Sequence, residues 1–257
     1  MRITVLVENT AVGEELGAEH GLSLFIETDR YNILFDMGQS DLFEKNAKLL
    51  EIDLSKVDFA VLSHGHYDHG GGLEHFLRIN ERAPIYLSPH AFEEHYHGKK
   101  RYIGLEPSLK KEKRLNFVEN TTEILPQITL FPRLEKQEIP ILSGGLTRKE
   151  EDVFLEEDFR HEQYMMIEEK GKRVLFSGCS HRGVLNICKE FCPDILIGGF
   201  HFSKLGLDER LEQMTEELSQ LPIRYYTCHC TGKKQYEFMK QRMYHLSYLA
   251  VGDILKV

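Results

Sequence analysis

Short apolar runs separated by polar turns recur along the chain, and most of them predict buried strands. One such run, residues 57–62 (VDFAVL), is followed by a helical pattern that begins at Leu73. Between them lies a glycine-rich turn, Ser63-His64-Gly65-His66-Tyr67-Asp68-His69-Gly70-Gly71-Gly72. Because ligands collect at the carboxyl ends of strands in open α/β sheets, this turn is the best candidate for a functional site.

The same order of elements occurs twice. Residues 22–38 (LSLFIETDRYNILFDMG) predict a hairpin, and residues 163–179 (QYMMIEEKGKRVLFSGC) align with them without gaps. Each hairpin precedes a buried strand that ends in a histidine, then a helix, then a further strand that ends in a histidine. These histidines are His64 and His90 in the first half, and His201 and His229 in the second.

This repeat predicts an α/β protein with two halves related by a pseudo-twofold axis, whose histidine-bearing rims meet at one cleft. We place the halves at about 1–90 and 161–257, with an irregular arm and connection at 91–160. No low-complexity linker separates the halves, so the sequence predicts a single domain over 1–257.

The composition narrows the class of protein. The chain has 257 residues, of which 41% are hydrophobic and 28% charged, the balance of a soluble globular protein. A net charge of −9 argues against nucleic acid and membrane surfaces as partners. Residues 1–8 read as a first strand rather than a signal peptide. The five cysteines are an odd number and all follow residue 178, which favours free thiols in a reducing cytoplasm over a disulfide framework. The sequence does not indicate the oligomeric state.

The turn has the residue types of a metal site. We predict an extended backbone here, in which side chains alternate, so His64, His66 and Asp68 face one way and His69 the other. One turn could then serve two ions, with His64 and His66 on one and Asp68 and His69 on the other. Imidazole and carboxylate ligands suit zinc first, with iron and manganese as alternatives.

Two octahedral or five-coordinate ions need further ligands, and three later histidines stand at predicted strand ends. His181 and His229 are the stronger candidates as ligands. His201 is either a ligand, a residue that binds substrate and donates a proton to the leaving group, or a hydrogen-bonded structural histidine.

The segment 63–69 resembles the Ser-His-x-His-x-Asp-His signature of the metallo-β-lactamase superfamily. The resemblance implies a four-layer αβ/βα sandwich with one or two metal ions at its rim. His229 matches the last histidine ligand, and Cys179 falls where the superfamily has an aspartate or sometimes a cysteine. Asp36 matches an aspartate that braces the metal loop.

One part of the superfamily pattern is missing. Its usual third histidine is absent in the normal context, although Asp158 and His161 lie near its place. His181 is the alternative source of this nitrogen. A wider set of motifs resembles a subfamily similar to archaeal 7,8-dihydropterin-6-methyl-4-(β-D-ribofuranosyl)aminobenzene 5′-phosphate synthase. These motifs lie at residues 7–10, 19–24, 63–73, 178–181, 198–201 and 227–232.

The predicted activity is that of a metal-dependent hydrolase, because a bound metal lowers the pKa of its water to about 7 and supplies hydroxide at neutral pH. Asp68 would hold an ion and either accept a proton or orient the nucleophile. The alternative is a transferase that displaces diphosphate from a pterin methyl carbon. The third possibility is non-catalytic metal binding or a redox role. A redox di-iron site of this superfamily would need a carboxylate near His66 and a flavin domain, and the sequence has neither.

The expected substrate is a small anion, most simply a phosphorylated molecule. Residues 98–114 carry seven basic and two acidic side chains in an otherwise acidic chain. Within them Lys99, Lys100 and Arg101 are candidate phosphate-binding residues. The simpler interpretation is a solvated charged loop.

Overall fold

Two facing sheets, with helices on their outer surfaces, make up most of the computed structural model, which describes residues 1–141 and 144–257. The strands of these described residues are β1 Arg2–Val7, β2 Ser23–Glu27, β3 Asn32–Phe35, β4 Phe59–Val61, β5 Ile85–Leu87, β6 Glu94–His97, β7 Arg101–Tyr102, β8 Leu115–Phe117, β9 Thr122–Leu125, β10 Ile128–Phe131, β11 Leu146–Glu150, β12 Val153–Glu156, β13 Tyr164–Glu169, β14 Lys172–Ser177, β15 Ile195–Gly198, β16 Arg224–Thr227, β17 Leu246–Tyr248 and β18 Ile254–Lys256. The α-helices are α1 Leu42–Leu49, α2 Tyr67–Gly70, α3 Leu73–Ile79, α4 Val184–Phe191, α5 Glu209–Ser219 and α6 Lys233–Lys240. Short 3-10 helices span Leu54–Lys56, Pro107–Lys111 and His229–Thr231.

The two large sheets mirror one another in strand order. The first runs β18-β1-β2-β3-β4-β5-β8 and the second β17-β16-β15-β14-β13-β10-β9. In each, an antiparallel hairpin (β2–β3 or β13–β14) continues into parallel strands (β3–β4–β5 or β14–β15–β16). The predicted repeat and pseudo-twofold arrangement are therefore confirmed.

Side-chain alternation along the strands produces the layers, because successive residues of a strand face opposite sides. In β3, Ile33 and Phe35 enter the core between the sheets, while Leu34 packs with α1 and α3. In β14, Val174 and Phe176 enter the same central core, and the intervening leucine packs with α4 and α5. This arrangement confirms the four-layer αβ/βα sandwich.

The segment predicted to be irregular is instead rich in strands. Within 91–160, β8 completes the first sheet, and β9 and β10 extend the second. The other strands of the segment form a third sheet in the order β12-β11-β6-β7. The prediction missed them because their exposed faces carry charged residues, as in LTRKE of β11, so no apolar run marks the strand. None of the described helices has the length and hydrophobicity that a membrane span requires.

Candidate metal centre

The histidine turn is only partly extended. His66 has extended backbone angles, but residues Tyr67–Gly70 form one turn of helix, closed by a hydrogen bond from Gly70 N to His66 O at 3.0 Å. The prediction of extended backbone through His69 is therefore wrong, and Asp68 and His69 project from a helix. At Gly65, a β-carbon would lie 2.1 Å from Ala91 O, so this position requires glycine.

His69 lies at the centre of one group of ligand-type side chains. Its Nε2 is 3.2 Å from Cys179 Sγ and 3.2 Å from His229 Nε2. Its Nδ1 is 2.7 Å from Asp36 Oδ2. A carboxylate accepts hydrogen bonds, so this contact leaves the lone pair of His69 on Nε2, directed at Cys179 and His229.

Asp68 borders the same group from the solvent side. Its Oδ2 lies 3.1 Å from His20 Nε2 and 3.4 Å from His229 Nε2. Burial alone would raise the pKa of Asp68, but the hydrogen bonds with His20 and His229 hold that pKa well below its usual range. The carboxylate therefore stays ionised, as a metal ligand must.

A second group consists of His64, Cys179 and His181, whose ligand atoms lie within 4.8 Å of one another. His64 Nδ1 is 2.8 Å from Ser63 Oγ. The other nitrogen of His64 and both ring nitrogens of His181 are buried and have no hydrogen-bond partner among the described residues. Burial also lowers the pKa of both rings well below 6.5, which keeps them neutral. Neutral, unpaired imidazole nitrogens beside a thiol fit a transition metal ion.

Cys179 belongs to both groups, which places it between the two candidate positions for an ion. Burial, followed by the neighbouring Cys230, raises the pKa of the Cys179 thiol well above its usual value. The free thiol is therefore protonated, and only a bound cation would stabilise the thiolate form.

His66 faces partly away from these groups. Its ring lies 4.7 Å from that of His64 between centroids, and it borders the pocket. Its ligand atom, however, groups with three buried residues of other segments, His95, Glu157 and His161. The contacts thus group His64 with His181, and the pairing of His64 with His66 on one ion stays a prediction.

Three buried carboxylates hold the loops that present these side chains. Asp36 accepts hydrogen bonds from Ser63 N and Ser63 Oγ, each at 2.7 Å. Glu162 accepts from His181 N at 2.7 Å, and Glu8 accepts from His229 N at 2.7 Å. Each carboxylate takes the place of the water that would otherwise bind the backbone N–H group of the loop. Breaking this buried hydrogen bond would leave the N–H group unpaired, so the bond holds the loop in place.

A pocket of about 250 Å³ opens onto the site. Arg101 and His201 line it, together with Lys204, which the sequence did not single out. His201 lies 4.3 Å from His181 between ring centroids, and burial lowers its pKa to about 4. Lys99 and Lys100 are exposed and lie outside the pocket lining.

The structure thus brings together most of the predicted site residues: His64, His66, Asp68, His69, Cys179, His181, His201, His229 and Arg101. Sequence reasoning gave no role to His20, although it lies in the motif at 19–24, and it overlooked Lys204, His95 and Glu157. His161 had one usable signal, since it stands near the expected place of the third histidine.

Known proteins are similar to this chain over most of its length. The sequence profile of the metallo-beta-lactamase superfamily matches residues 16–218. An uncharacterized protein of Methanocaldococcus jannaschii is 30% identical over 275 residues, which cover 99% of this chain and 100% of that protein. The 7,8-dihydropterin-6-methyl-4-(beta-D-ribofuranosyl)-aminobenzene-5'-phosphate synthase of the same organism is 27% identical over 288 residues, which cover 100% of this chain and 96% of the synthase.

Solved structures show the same architecture. The crystal structure of a metal-dependent hydrolase of the beta-lactamase superfamily superposes with a TM-score of 0.86 at 29% identity, over 100% of this chain and 99% of that one. The Zn²⁺-bound PqqB of Methylobacterium extorquens superposes with a TM-score of 0.58 at 13% identity, over 100% of both chains, which supports the fold alone.

Proposed function

Since the chain belongs to the metallo-β-lactamase superfamily, we propose that it is a metal-dependent hydrolase of a small anionic, phosphorylated molecule. One observation carries the proposal: neutral imidazoles, a thiol and an ionised carboxylate converge on a pocket whose mouth holds Arg101 and Lys204. The fold implies binding of a divalent metal. Zinc fits a mixed set of nitrogen, sulfur and carboxylate ligands best, with iron or manganese as alternatives.

The ligands would divide into two groups around Cys179. His64, His181 and Cys179 would hold one ion, with His66 beside them. Asp68, His69 and His229 would hold the other, with His20 next to Asp68. Bound ions of this kind supply Lewis acidity and a nucleophile derived from water at neutral pH.

The remaining side chains orient the substrate. Arg101 Nη2 donates a hydrogen bond to Tyr67 Oη at 2.8 Å, which holds the guanidinium at the pocket mouth. Lys204 Nζ lies 3.2 Å from His97 Nε2, and His97 pairs with Arg101 between β6 and β7. Two cations that line the same pocket would bind an anionic group and direct the rest of the molecule inward. His201, which is neutral at pH 7, would donate a hydrogen bond to the leaving group.

A transferase is the second candidate, supported by the full-length similarity to the pterin synthase. The same cations and metal ligands would then bind the diphosphate that leaves a pterin methyl carbon, and an arylamine would replace water. The two reactions need the same anion-binding features and differ in whether water or an amine reaches the electrophilic centre.

Product analysis in ¹⁸O-labelled water separates the two candidates. The metal-loaded protein would be incubated with a panel of phosphoesters, and separately with a dihydropterin-methyl diphosphate and an arylamine phosphate. Hydrolysis predicts ¹⁸O in the product, and transfer predicts a new carbon–nitrogen bond. His181→Ala should abolish either reaction, whereas His75→Ala, at a half-buried position of α3 outside the pocket lining, should not. Full activity after removal of all metal would contradict both candidates.

A further inference from the structure

Arg101 is a cation of the pocket that no carboxylate neutralises among the residues that the structure describes. It comes from β7, the edge strand of the third sheet, and lines the pocket together with Tyr67. On β11 of the same sheet, Arg148 is paired with Glu150. The guanidinium of Arg101 therefore keeps its full charge for a molecule that enters the pocket.

Tyr67 holds this guanidinium in two ways. Arg101 Nη2 donates to Tyr67 Oη at 2.8 Å, and the guanidinium carbon lies 5.5 Å from the centre of the phenol ring, within the range of a cation–π contact. Tyr67 is itself fixed, because its backbone N donates to Ile103 O at 2.9 Å. Its ring also packs against the small apolar cluster of Ile103, Leu146 and Phe159. The two side chains thus form an ordered pair before any ligand binds.

The phenol of Tyr67 has one proton that the protein does not use. Its oxygen accepts the hydrogen bond from Arg101, and the hydroxyl can also donate one. Within 1–141 and 144–257, no group accepts that proton. A tyrosine has a pKa of about 10, so the proton is present at neutral pH. It is available to a ligand in the pocket that Tyr67 lines.

One anionic group can use both donors. Tyr67 Oη and Arg101 Nη2 are 2.8 Å apart, so neighbouring oxygens of a single phosphate can each accept a hydrogen bond, one from the phenol and one from the guanidinium. A neutral carbonyl has a single oxygen and would leave one of the two donors unpaired. Asp68, the next residue of α2 and a candidate metal ligand, lines the same pocket. An anion bound by the pair would therefore lie in the pocket of the candidate metal centre.

We propose that Tyr67 is a substrate-binding residue, whose hydroxyl donates to the same phosphate group that Arg101 binds. This inference deepens the proposed function and rests on it, since it names a second donor for the anionic group. It also separates two roles of the phenol: the oxygen positions Arg101, and the proton contacts the substrate.

Binding of an anion without an ester bond tests the proposal independently of turnover. Dimethylphosphinate has two phosphoryl oxygens and one negative charge, and dimethyl sulfone is its neutral counterpart of the same shape. Their dissociation constants would be measured by NMR titration of the zinc-loaded protein. The variants are Tyr67→Phe, Arg101→Ala and the double variant. Tyr96→Phe is the matched control, because its hydroxyl donates to the exposed Glu94 outside the pocket lining.

We expect Tyr67→Phe to weaken dimethylphosphinate binding by about 10-fold or more, both in the wild-type background and in Arg101→Ala. Tyr96→Phe should bind like wild type, dimethyl sulfone should respond to none of the changes, and zinc content should be equal in all variants. Wild-type affinity in Tyr67→Phe would overturn the inference. So would a loss that disappears in the Arg101→Ala background, because the phenol would then only support the guanidinium. A wild-type protein that holds zinc but does not bind dimethylphosphinate would instead contradict the proposed function.

Discussion

Asp36 Oδ2 and His69 Nδ1 lie 2.7 Å apart, and both side chains are fully buried. Asp36 follows β3 and has a left-handed backbone conformation, with φ of 59°, which a non-glycine residue rarely adopts. This conformation directs the carboxylate at the turn, where it also accepts two hydrogen bonds from Ser63. Strained backbone persists where the surrounding structure requires it. Here it positions the Asp36 carboxylate to accept a hydrogen bond from His69 Nδ1, which fixes the tautomer of a candidate metal ligand.

The first prediction follows from that contact. Asp36→Asn should weaken metal binding by about 10- to 100-fold, because an amide can donate to His69 and permit the wrong tautomer. Metal affinity measured by chelator competition checks this, with circular dichroism as the test of folding. Asp29→Asn, in the exposed turn between β2 and β3, is the control and should bind metal like wild type. A folded Asp36→Asn protein with wild-type affinity would show that the tautomer is fixed by other contacts.

The sequence predicts the fold and the centre of the site for a physical reason. The ligand-type residues of the turn stand next to one another, and His181, His201 and His229 stand just after apolar runs, so local pattern is sufficient to find them. The repeat predicts which distant residues meet, because two similar halves related by a twofold axis bring equivalent strand ends to one edge of the sandwich. The alignment of residues 22–38 with 163–179 therefore predicts the mirrored sheets.

The residues that sequence reasoning missed have no such local signal. His95 lies on the short strand β6 (EHYH), which has no apolar run, and its partner Glu157 is 62 positions further along the chain. Lys204 reaches the pocket from the loop after His201, and a lone lysine in such a loop resembles any surface lysine. Their roles depend on how the third sheet packs against the turn, which no periodicity in the sequence specifies.

The second prediction concerns Cys179 as a ligand. Substitution with cobalt(II) should produce a near-ultraviolet band from charge transfer between thiolate and metal, because only a bound cation stabilises the ionised thiol here. Cys179→Ser should lose this band, and Cys188→Ser, in the core packing of α4, should keep it. If the band instead disappears in Cys230→Ser and survives in Cys179→Ser, the neighbouring thiol is the ligand. Thiol labelling with and without chelator, with the other four cysteines replaced, gives an independent check.

The third prediction is a pH dependence of the metal-free protein. Burial lowers the pKa of six histidines, to about 3 for His69 and about 4 for His201. The other four are His64, His66, His161 and His181. Below pH 6.5 these histidines bind protons in the unfolded state but not in the folded state. Their contribution to the free energy of unfolding is therefore complete above pH 6.5 and decreases as the pH falls.

Each of these histidines contributes up to about 1.4 kcal/mol per pH unit in that window. The pKa values of Asp36 and Glu162, raised by burial, and that of His20, raised by its hydrogen bond with Asp68, act in the opposite direction, but they are three groups against six. Urea unfolding of chelator-treated protein at pH 5 and pH 7 should therefore give a lower free energy of unfolding at pH 5. Equal values at the two pH values would show that the buried histidines are already protonated in the folded state.

The fourth prediction separates the cations of the pocket from those of the surrounding loop. Arg101 and Lys204 line the pocket, whereas Lys99 and Lys100 carry the same charge but are exposed outside it. A hydrogen bond to a charged group contributes about 1.5–3 kcal/mol, so Arg101→Ala and Lys204→Ala should each raise KM for a phosphodiester by about 10- to 100-fold. The matched double variant Lys99→Ala/Lys100→Ala should leave KM close to wild type, since charges exposed to water are screened by salt.

Bis(p-nitrophenyl) phosphate as the anionic probe and p-nitrophenyl acetate as the neutral one allow the comparison in the same assay. Only the anionic probe should lose affinity, and metal content should stay unchanged in all variants. If both probes lose affinity equally, Arg101 and Lys204 shape the pocket rather than bind an anion, and if the double variant alone responds, the anion binds at the loop instead.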